Sequence, residues 1–206
     1  GDVYIAAGVE WVSRYNEAVE GARPQDQNPK LQGNDGQPNA YIAMGLTAEN
    51  VAERYEVSRA EMDKYAQRSQ ELAVASQDSG FFDREIVPVT LPDGTVVAKD
   101  DGPRRESSIE KLAQLEPAFK PGGKVTAGNS CPLNDGAAAV LLMSDTKAKE
   151  LGVKPRARIV TAATWGNEPE YMGVAPIGAI RKVLKRAGMT MDDIDIVELN
   201  EAFAAQ

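Results

Sequence analysis

The sequence predicts a layered α/β protein carrying an inserted α+β subdomain. Two patterns and one quantity point there. Over the last third, apolar runs and amphipathic stretches follow one another as strand, helix, strand, helix, strand. Residues 14 to 128 break that rhythm with helices, a hairpin and turn-rich connections. Finally, 42% of the 206 residues are hydrophobic, enough for a real core.

Residues 1 to 13, GDVYIAAGVEWVS, open with an apolar run from Val3 to Ala7 that Gly8 is expected to stop, the tail of a strand whose partners are expected outside this chain. Residues 21 to 39 are rich in Gly, Pro, Asn and Gln and have little to bury, so they read as a long surface loop. From Thr47 the pattern turns helical, with Thr47 the expected cap of TAENVAERY. Ser58 and Glu61 have the spacing of a capping box, Met62, Tyr65, Ala66, Leu72 and Ala73 recur on one helical face, and Gly80 suits the C-terminal cap. The β-branched runs on either side of Pro92-Asp93-Gly94 predict a hairpin. Ser107 and Glu110 repeat the capping-box spacing for a short helix through Leu115.

After Val125, AGNSCPLNDG is dense in turn residues, and AAAVLLMS is a continuous apolar run suited to a strand covered on both faces. Asp145 is the expected cap of a helix ending at Gly152, and ARIVTAATW reads as another buried strand. PIGAIRKVLKRAG is amphipathic, with Ile177, Ile180, Val183, Leu184 and Ala187 on its apolar side and Lys185 and Arg186 near its C-terminal dipole. DIDIVEL reads as a strand and AFAAQ as the start of a helix.

Charge and composition exclude several classes. The net charge of -8 disfavours nucleic acid and anionic lipid as partners, and no apolar run approaches the roughly 20 residues that span a bilayer. Residues 1 to 20 lack the pattern of a signal peptide, so a soluble cytoplasmic protein is expected. Cys131 is the single cysteine and histidine is absent, so Cys-His and Ser-His-Asp systems and His-ligated zinc cannot be assembled from this chain. Neither a metal site nor a tightly bound cofactor is expected. At the junction VELNEAFAAQ, Asn200 and Glu201 stand where a strand gives way to a helix. Taken alone, Asn-Glu there reads as a helix cap, whereas strand ends in layered α/β proteins also gather catalytic groups.

The wider text favours the second reading. VELNEAFAAQ resembles the Asn-Glu-Ala-Phe signature of thiolases, the enzymes that make and cleave 3-ketoacyl-CoA thioesters. GLTAENVAERYEVSRAEMDKYAQRS resembles a family stretch in the loop domain that covers coenzyme A. KVTAGNSCPLNDGAAAVLLMS resembles the segment returning from that domain, and YMGVAPIGAIRKVLKRAG resembles the family's Met-Gly-x-x-Pro segment with its following helix. The four blocks stand in family order over nearly the whole chain.

The resemblance implies the thiolase fold, two similar α/β/α-layered halves with a loop domain inserted in the first, incomplete within residues 1 to 206. Residues 1–13 and 133–156 would belong to the N-terminal half, 14–132 to the loop domain, and 157–206 would begin the C-terminal half. The family's nucleophilic Cys would precede this segment, and its catalytic His and second Cys would follow it. The chain alone is then expected to be inactive. Asn200 would hold the water that donates to the thioester oxygen, a role open to a neutral amide because it takes no proton from a base. Glu201 reads as structural, a cap or orienter. Along the coenzyme A and pantetheine path the resemblance places Met44, Phe119, Ala127, Cys131, Met172 and Phe203. Cys131 stands where the family has Ser, which removes a hydroxyl donor. For the phosphates it favours Arg104, with Arg105 beside it and a purely surface role for both also open. Ala43 stands where some short-chain biosynthetic members have His, which leans toward a 3-ketoacyl-CoA thiolase with another acyl preference, and the resemblance implies a place in fatty acid metabolism. Coenzyme A and acyl-CoA are the implied substrates, and a homodimer or homotetramer is the implied assembly, with residues 21–39 a candidate contact. A noncatalytic module that binds CoA esters is the alternative.

Overall fold

A computed structural model describes residues 1–14 and 27–206. In chain order the elements are β1 (Val3–Glu10), α1 (Met44–Arg54), α2 (Arg59–Asp78), β2 (Val89–Thr90), β3 (Val96–Val97), α3 (Ile109–Ala113), β4 (Gly136–Met143), α4 (Asp145–Glu150) and α5 (Ala175–Ala187). They fall into two units, Gly1–Tyr41 with Pro132–Glu198, and Ile42–Cys131 with Leu199–Gln206.

In the first unit β1 and β4 pair antiparallel, from Val3 opposite Met143 to Glu10 opposite Gly136. The partner of β1 thus lies within the chain, not outside it as expected, and Gly8 does not stop the strand, because a glycine weakens a ladder without removing its N–H or C=O, and Gly8 pairs with Ala138. Beyond the ladder, the Asp135 carboxylate accepts from the Ser13 amide and hydroxyl, both at 2.8 Å. The backbone donor first and the hydroxyl second hold Asp135 below the usual carboxylate range. Ser144, one residue before the expected Asp145, caps α4 by accepting from the Lys147 amide at 3.1 Å. Pro176 opens α5 and Gly188, in the left-handed region at φ 69°, closes it.

Two expected strands are not paired among the described residues. ARIVTAATW and DIDIVEL carry no ladder, and Ile159 and Ile196 are 71% and 81% exposed. Apolar runs of the right length select extended backbone, but a strand also needs an edge to bond to. Residues 162–165 are held instead by α5: Lys182 Nζ donates to the Thr164 carbonyl at 3.1 Å and Arg186 Nη1 to the Ala162 carbonyl at 2.6 Å. The Trp165 indole lies so close to Gly178 that a Cβ there would come within 2.4 Å of it. The expected double cover of AAAVLLMS is likewise not observed, since Val140 and Leu141 are exposed. Of the expected loop 21–39, residues 21–26 lie outside the described residues, and the rest runs through 3-10 turns at Pro29–Leu31 and Asn34–Gly36.

The second unit has a small core of Ala48, Ala52, Met62, Val125 and Ala205, with Val57, Phe203 and Ala204 packed against it. Here α1 begins one turn before the expected cap. Thr47 is buried inside it and donates to the Met44 carbonyl at 2.6 Å, while Ala43 stands at the N-cap without a side-chain bond. Gly45 is required where it stands, because a Cβ would come within 2.1 Å of the Phe119 ring. The Ser58–Glu61 capping box of α2 forms as expected, with the Ser58 amide on Glu61 Oε2 at 2.8 Å and the Glu61 amide on Ser58 Oγ at 3.2 Å. Met62 and Ala66 are buried, but Tyr65 and Leu72 of the expected packing face are exposed. The hairpin forms, with Val89 opposite Val97 and Gly94 at φ 85° in its turn. Ser108, rather than Ser107, caps α3 by accepting from the Lys111 amide.

Two buried carboxylates organise this unit. Glu49 on α1 accepts from the Lys124 and Val125 amides at 2.8 Å. Asp63 on α2 accepts from Arg59 Nε at 2.7 Å and from Asn129 Nδ2 at 3.0 Å. Asn129 in turn bonds the Lys124 carbonyl through Nδ2 and the Thr126 amide through Oδ1, so residues 124–129 form a closed, internally satisfied loop. Replacing Glu49 with Ala leaves two backbone donors without an acceptor, at about 1–3 kcal/mol each. Urea unfolding of Glu49→Ala should show a loss of about 3 kcal/mol or more, Glu49→Gln a smaller one, and Glu53→Ala, whose side chain is 77% exposed, within about 0.5 kcal/mol of the parent.

Candidate functional site

Residues 199–206 do not start a helix. They dock as irregular backbone on the 126–131 loop: the Cys131 amide donates to the Ala202 carbonyl and the Ala204 amide to the Asn129 carbonyl, both at 2.9 Å. Ser130 and Phe203 form an isolated antiparallel bridge, and Gln206 closes a single turn onto Phe203. The backbone groups a helix would use are thus taken by a neighbouring loop. Ala205 enters the core, and the Phe203 ring meets Phe119 edge to face, with centroids 6.0 Å apart.

This docking sets the environment of the Asn-Glu pair. Asn200 is exposed. Glu201 caps nothing: its carboxylate accepts from the Tyr65 hydroxyl at 2.7 Å and from Ser69 Oγ at 2.5 Å. Tyr65 and Ser69 are four residues apart on α2 and so share one face. The Ser69 hydrogen bond, with Tyr65 second, holds Glu201 below the usual carboxylate range, and the Glu201 contact holds the Tyr65 phenol above its own.

The second unit therefore brings Met44, Phe119, Ala127, Cys131, Asn200 and Phe203 into one body, together with Arg104. Met44 starts α1 beside Gly45, on which Phe119 packs. Ala127 and Cys131 are exposed on the loop that receives residues 199–206. Arg104 belongs to a different cluster: its amide donates to Gln70 Oε1 at 2.7 Å, and with Val74, Asp78, Arg105 and Ser107 it lines a cavity of about 230 Å³. Arg105 is committed to Asp78 through two bonds at 2.9 and 2.7 Å, which pull the Asp78 carboxyl below its usual range. Met172 lies in the first unit, in a 3-10 turn at Pro169–Val174. The sequence marks Tyr65 only as an apolar position of α2 and does not mark Ser69 at all. Their one sequence signal is a pair of hydroxyls at i and i+4, which names no partner.

With layered α/β sequence order, a loop-bearing unit of mixed helix and hairpin and an Asn-Glu pair docked upon it, the molecule falls in a class of α/β proteins carrying an insert. Comparison makes this specific. The family model described as the thiolase N-terminal domain matches residues 1–146, and that of the thiolase C-terminal domain matches residues 153–206. The chain belongs to the thiolase family, and its fold is the thiolase α/β fold. A probable acetyl-CoA acyltransferase of Staphylococcus aureus is 53% identical over 167 residues, covering 79% of this chain and 42% of that protein. An acetyl-CoA acetyltransferase of Chromobacterium violaceum is 47% identical over the whole chain and 55% of its own length. The dimeric peroxisomal thiolase of Saccharomyces cerevisiae superposes with a TM-score of 0.88 at 39% identity, over 99% of this chain and 52% of that one. The chain spans about half the length of the relatives it matches. No helix among the described residues is long and apolar enough to cross a membrane.

A carboxylate whose folded pKa is depressed contributes stability that is present above its unfolded pKa, about 4.3, and is lost as pH falls through the folded value. The stability difference between the parent and Glu201→Gln should therefore be constant from neutral pH to about pH 5. It should shrink below that, measured by urea unfolding at a series of pH values, with Glu61→Gln as a reference for an ordinary capping carboxylate.

Proposed function

We propose that this chain is a segment of a thiolase that transfers acyl groups between 3-ketoacyl-CoA or acetyl-CoA and coenzyme A by ping-pong Cys chemistry. The nucleophile and the catalytic histidine stand outside residues 1–206, since the chain contains no His and its one Cys lies in a turn-rich loop. The observation that carries the reading is the division of labour at the Asn-Glu pair. Glu201 is tied to two hydroxyls and held as a weak base, while the exposed Asn200 amide beside it is a neutral donor. When a thiolate attacks a thioester carbonyl, or an enolate forms at its α-carbon, negative charge builds on oxygen. A fixed neutral donor, acting directly or through a held water, stabilises that charge without consuming the base. Acetyl-CoA enzymes among the relatives support the substrate class.

In this assignment residues 14–132 cover coenzyme A, flanked by residues 1–13 and 133–156 of the N-terminal half, and residues 157–206 open the C-terminal half. Met44, Phe119 and Phe203 supply an apolar wall for pantetheine, with Ala127 and Cys131 along the same path. Arg104 meets the nucleotide phosphates, a choice supported by the commitment of Arg105 to Asp78. The assembly is a cytoplasmic homodimer or homotetramer with no tightly bound cofactor. A second reading, a module that binds CoA esters without turnover, is favoured by the presence of most of the contact set, with its own core, in one unit.

Calorimetry and a thiolysis assay on the purified chain test both. Coenzyme A should bind, Arg104→Ala should weaken it about tenfold through the loss of a charged hydrogen bond, and Arg105→Ala should do so less. Thiolysis of acetoacetyl-CoA should be undetectable. Absence of binding contradicts both readings, and turnover by the chain alone contradicts placing the nucleophile elsewhere.

A further inference from the structure

Among the described residues, the docked segment is anchored on one side of Asn200 only. Its attachments within the second unit are the Glu201 carboxylate on Tyr65 and Ser69, the Ala202 carbonyl and Ala204 amide on the 129–131 loop, and the Phe203 and Ala205 side chains. All follow Asn200 in the chain. The preceding residues 194–199 carry no ladder bond and are mostly exposed. The anchor nearest to Asn200 is therefore its own neighbour, and that anchor reaches to a helix more than 130 positions earlier in the sequence.

We propose that Tyr65, Ser69 and Glu201 form a positioning clamp for Asn200, in which two hydroxyls on one face of α2 fix a carboxylate and thereby fix the backbone of the residue before it. This rests on the reading of Asn200 as the oxyanion donor. None of the three touches substrate in the proposal; each acts through Asn200.

Physical requirements favour this arrangement. An oxyanion donor works by being held where charge will develop before it develops, and a displacement of about 1 Å can cost about a hundredfold in rate. An exposed Asn at the end of a docked segment depends on its neighbours to fix its backbone. A carboxylate is the acceptor that two hydroxyl donors can share, because it offers two oxygens and no competing proton. Glutamine in its place accepts at one oxygen and presents an NH2 to the second hydroxyl, which can turn to accept but no longer donates to a charge. Neither hydroxyl has a packing reason to be there: Tyr65 is 40% exposed and Ser69 carries almost no apolar surface.

The test is nitrogen-resolved NMR of the full chain 1–206, reading the backbone and side-chain amides of Asn200. The double variant Tyr65→Phe/Ser69→Ala should shift both Asn200 signals and lower their heteronuclear NOE, while the buried Asn129 side-chain amide keeps its position. Ser69→Thr, which retains the hydroxyl, should restore most of the order when introduced with the native Tyr65. Glu201→Gln should reproduce the loosening and serves as the reporting variant if the double variant fails to fold. The clamp is refuted if the Asn200 signals and NOE stay unchanged in whichever of these variants folds.

The carbonyl stretch of carbon-13-labelled acetyl-CoA bound to the same chain reports separately on the oxyanion reading. A lowering of that frequency in the parent that Asn200→Ala abolishes supports the reading, and a frequency that Asn200→Ala leaves unchanged overturns it whatever the amide signals do. With the reading upheld, the clamp variants should lose at least half of the lowering while coenzyme A affinity changes less than twofold. An undiminished lowering in those variants overturns the clamp alone.

Discussion

The geometry of the candidate site depends on the buried carboxylate of Glu49 and its partner in the core, Asp63. A carboxylate withdrawn from water is tolerated only when its oxygens are filled, and here they are filled by backbone amides and by Arg59 and Asn129. That requirement works in both directions. The acids need the loop, and the loop at 124–129, which has no regular secondary structure to satisfy its own backbone, needs the acids. The Arg59 guanidinium extends the network by donating to the Leu112 and Leu115 carbonyls, which joins the C-terminal end of α3 to the start of α2.

What the loop then offers is a fixed edge. Asn129 presents its carbonyl to Ala204 while its side chain is occupied inside, and Cys131 presents its amide to Ala202. Residues 201–205 settle on that edge, with Phe203 against Phe119 and Phe119 in turn against the bare backbone of Gly45. Packing, backbone pairing and the contacts of Glu201 converge on five residues, and Asn200 is carried at the end of them. The chemistry attributed to an exposed amide is thus referred, through short contacts, to two acids buried in the core.

Local signals were legible in the sequence where the deciding interaction is local. The Ser58–Glu61 box, the Asp93-Gly94 turn and the glycine closing α5 all depend on atoms within a few residues of each other. Where two eligible caps stand side by side, as at Ser107/Ser108 and Ser144/Asp145, spacing gives the helix but chooses the wrong neighbour by one residue. Thr47 fails for a different reason: the helix reaches back to Met44 because Gly45 lets Phe119 close over it, a contact across more than 70 residues of sequence. Residues 157–165 and 193–199 show that an apolar run does not by itself bring strand pairing. The site was legible only to its centre. Asn200 and Glu201 stand out in the text, and the resemblance gives them context, but Tyr65 reads as one more apolar position until the structure sets its hydroxyl on Glu201.

If the loop and the docked segment are one cooperative unit held by the buried acids, their backbone amides must open together. Hydrogen exchange at Val125, Ala204 and Cys131 measures this directly, because each amide has a single acceptor in the network: Glu49, Asn129 and Ala202. Protection should be similar at all three and should fall together in Glu49→Gln. Rapid exchange at Ala204 and Cys131 beside a protected Val125 would contradict it, since the segment bearing Asn200 would then rest on the loop without being held by it.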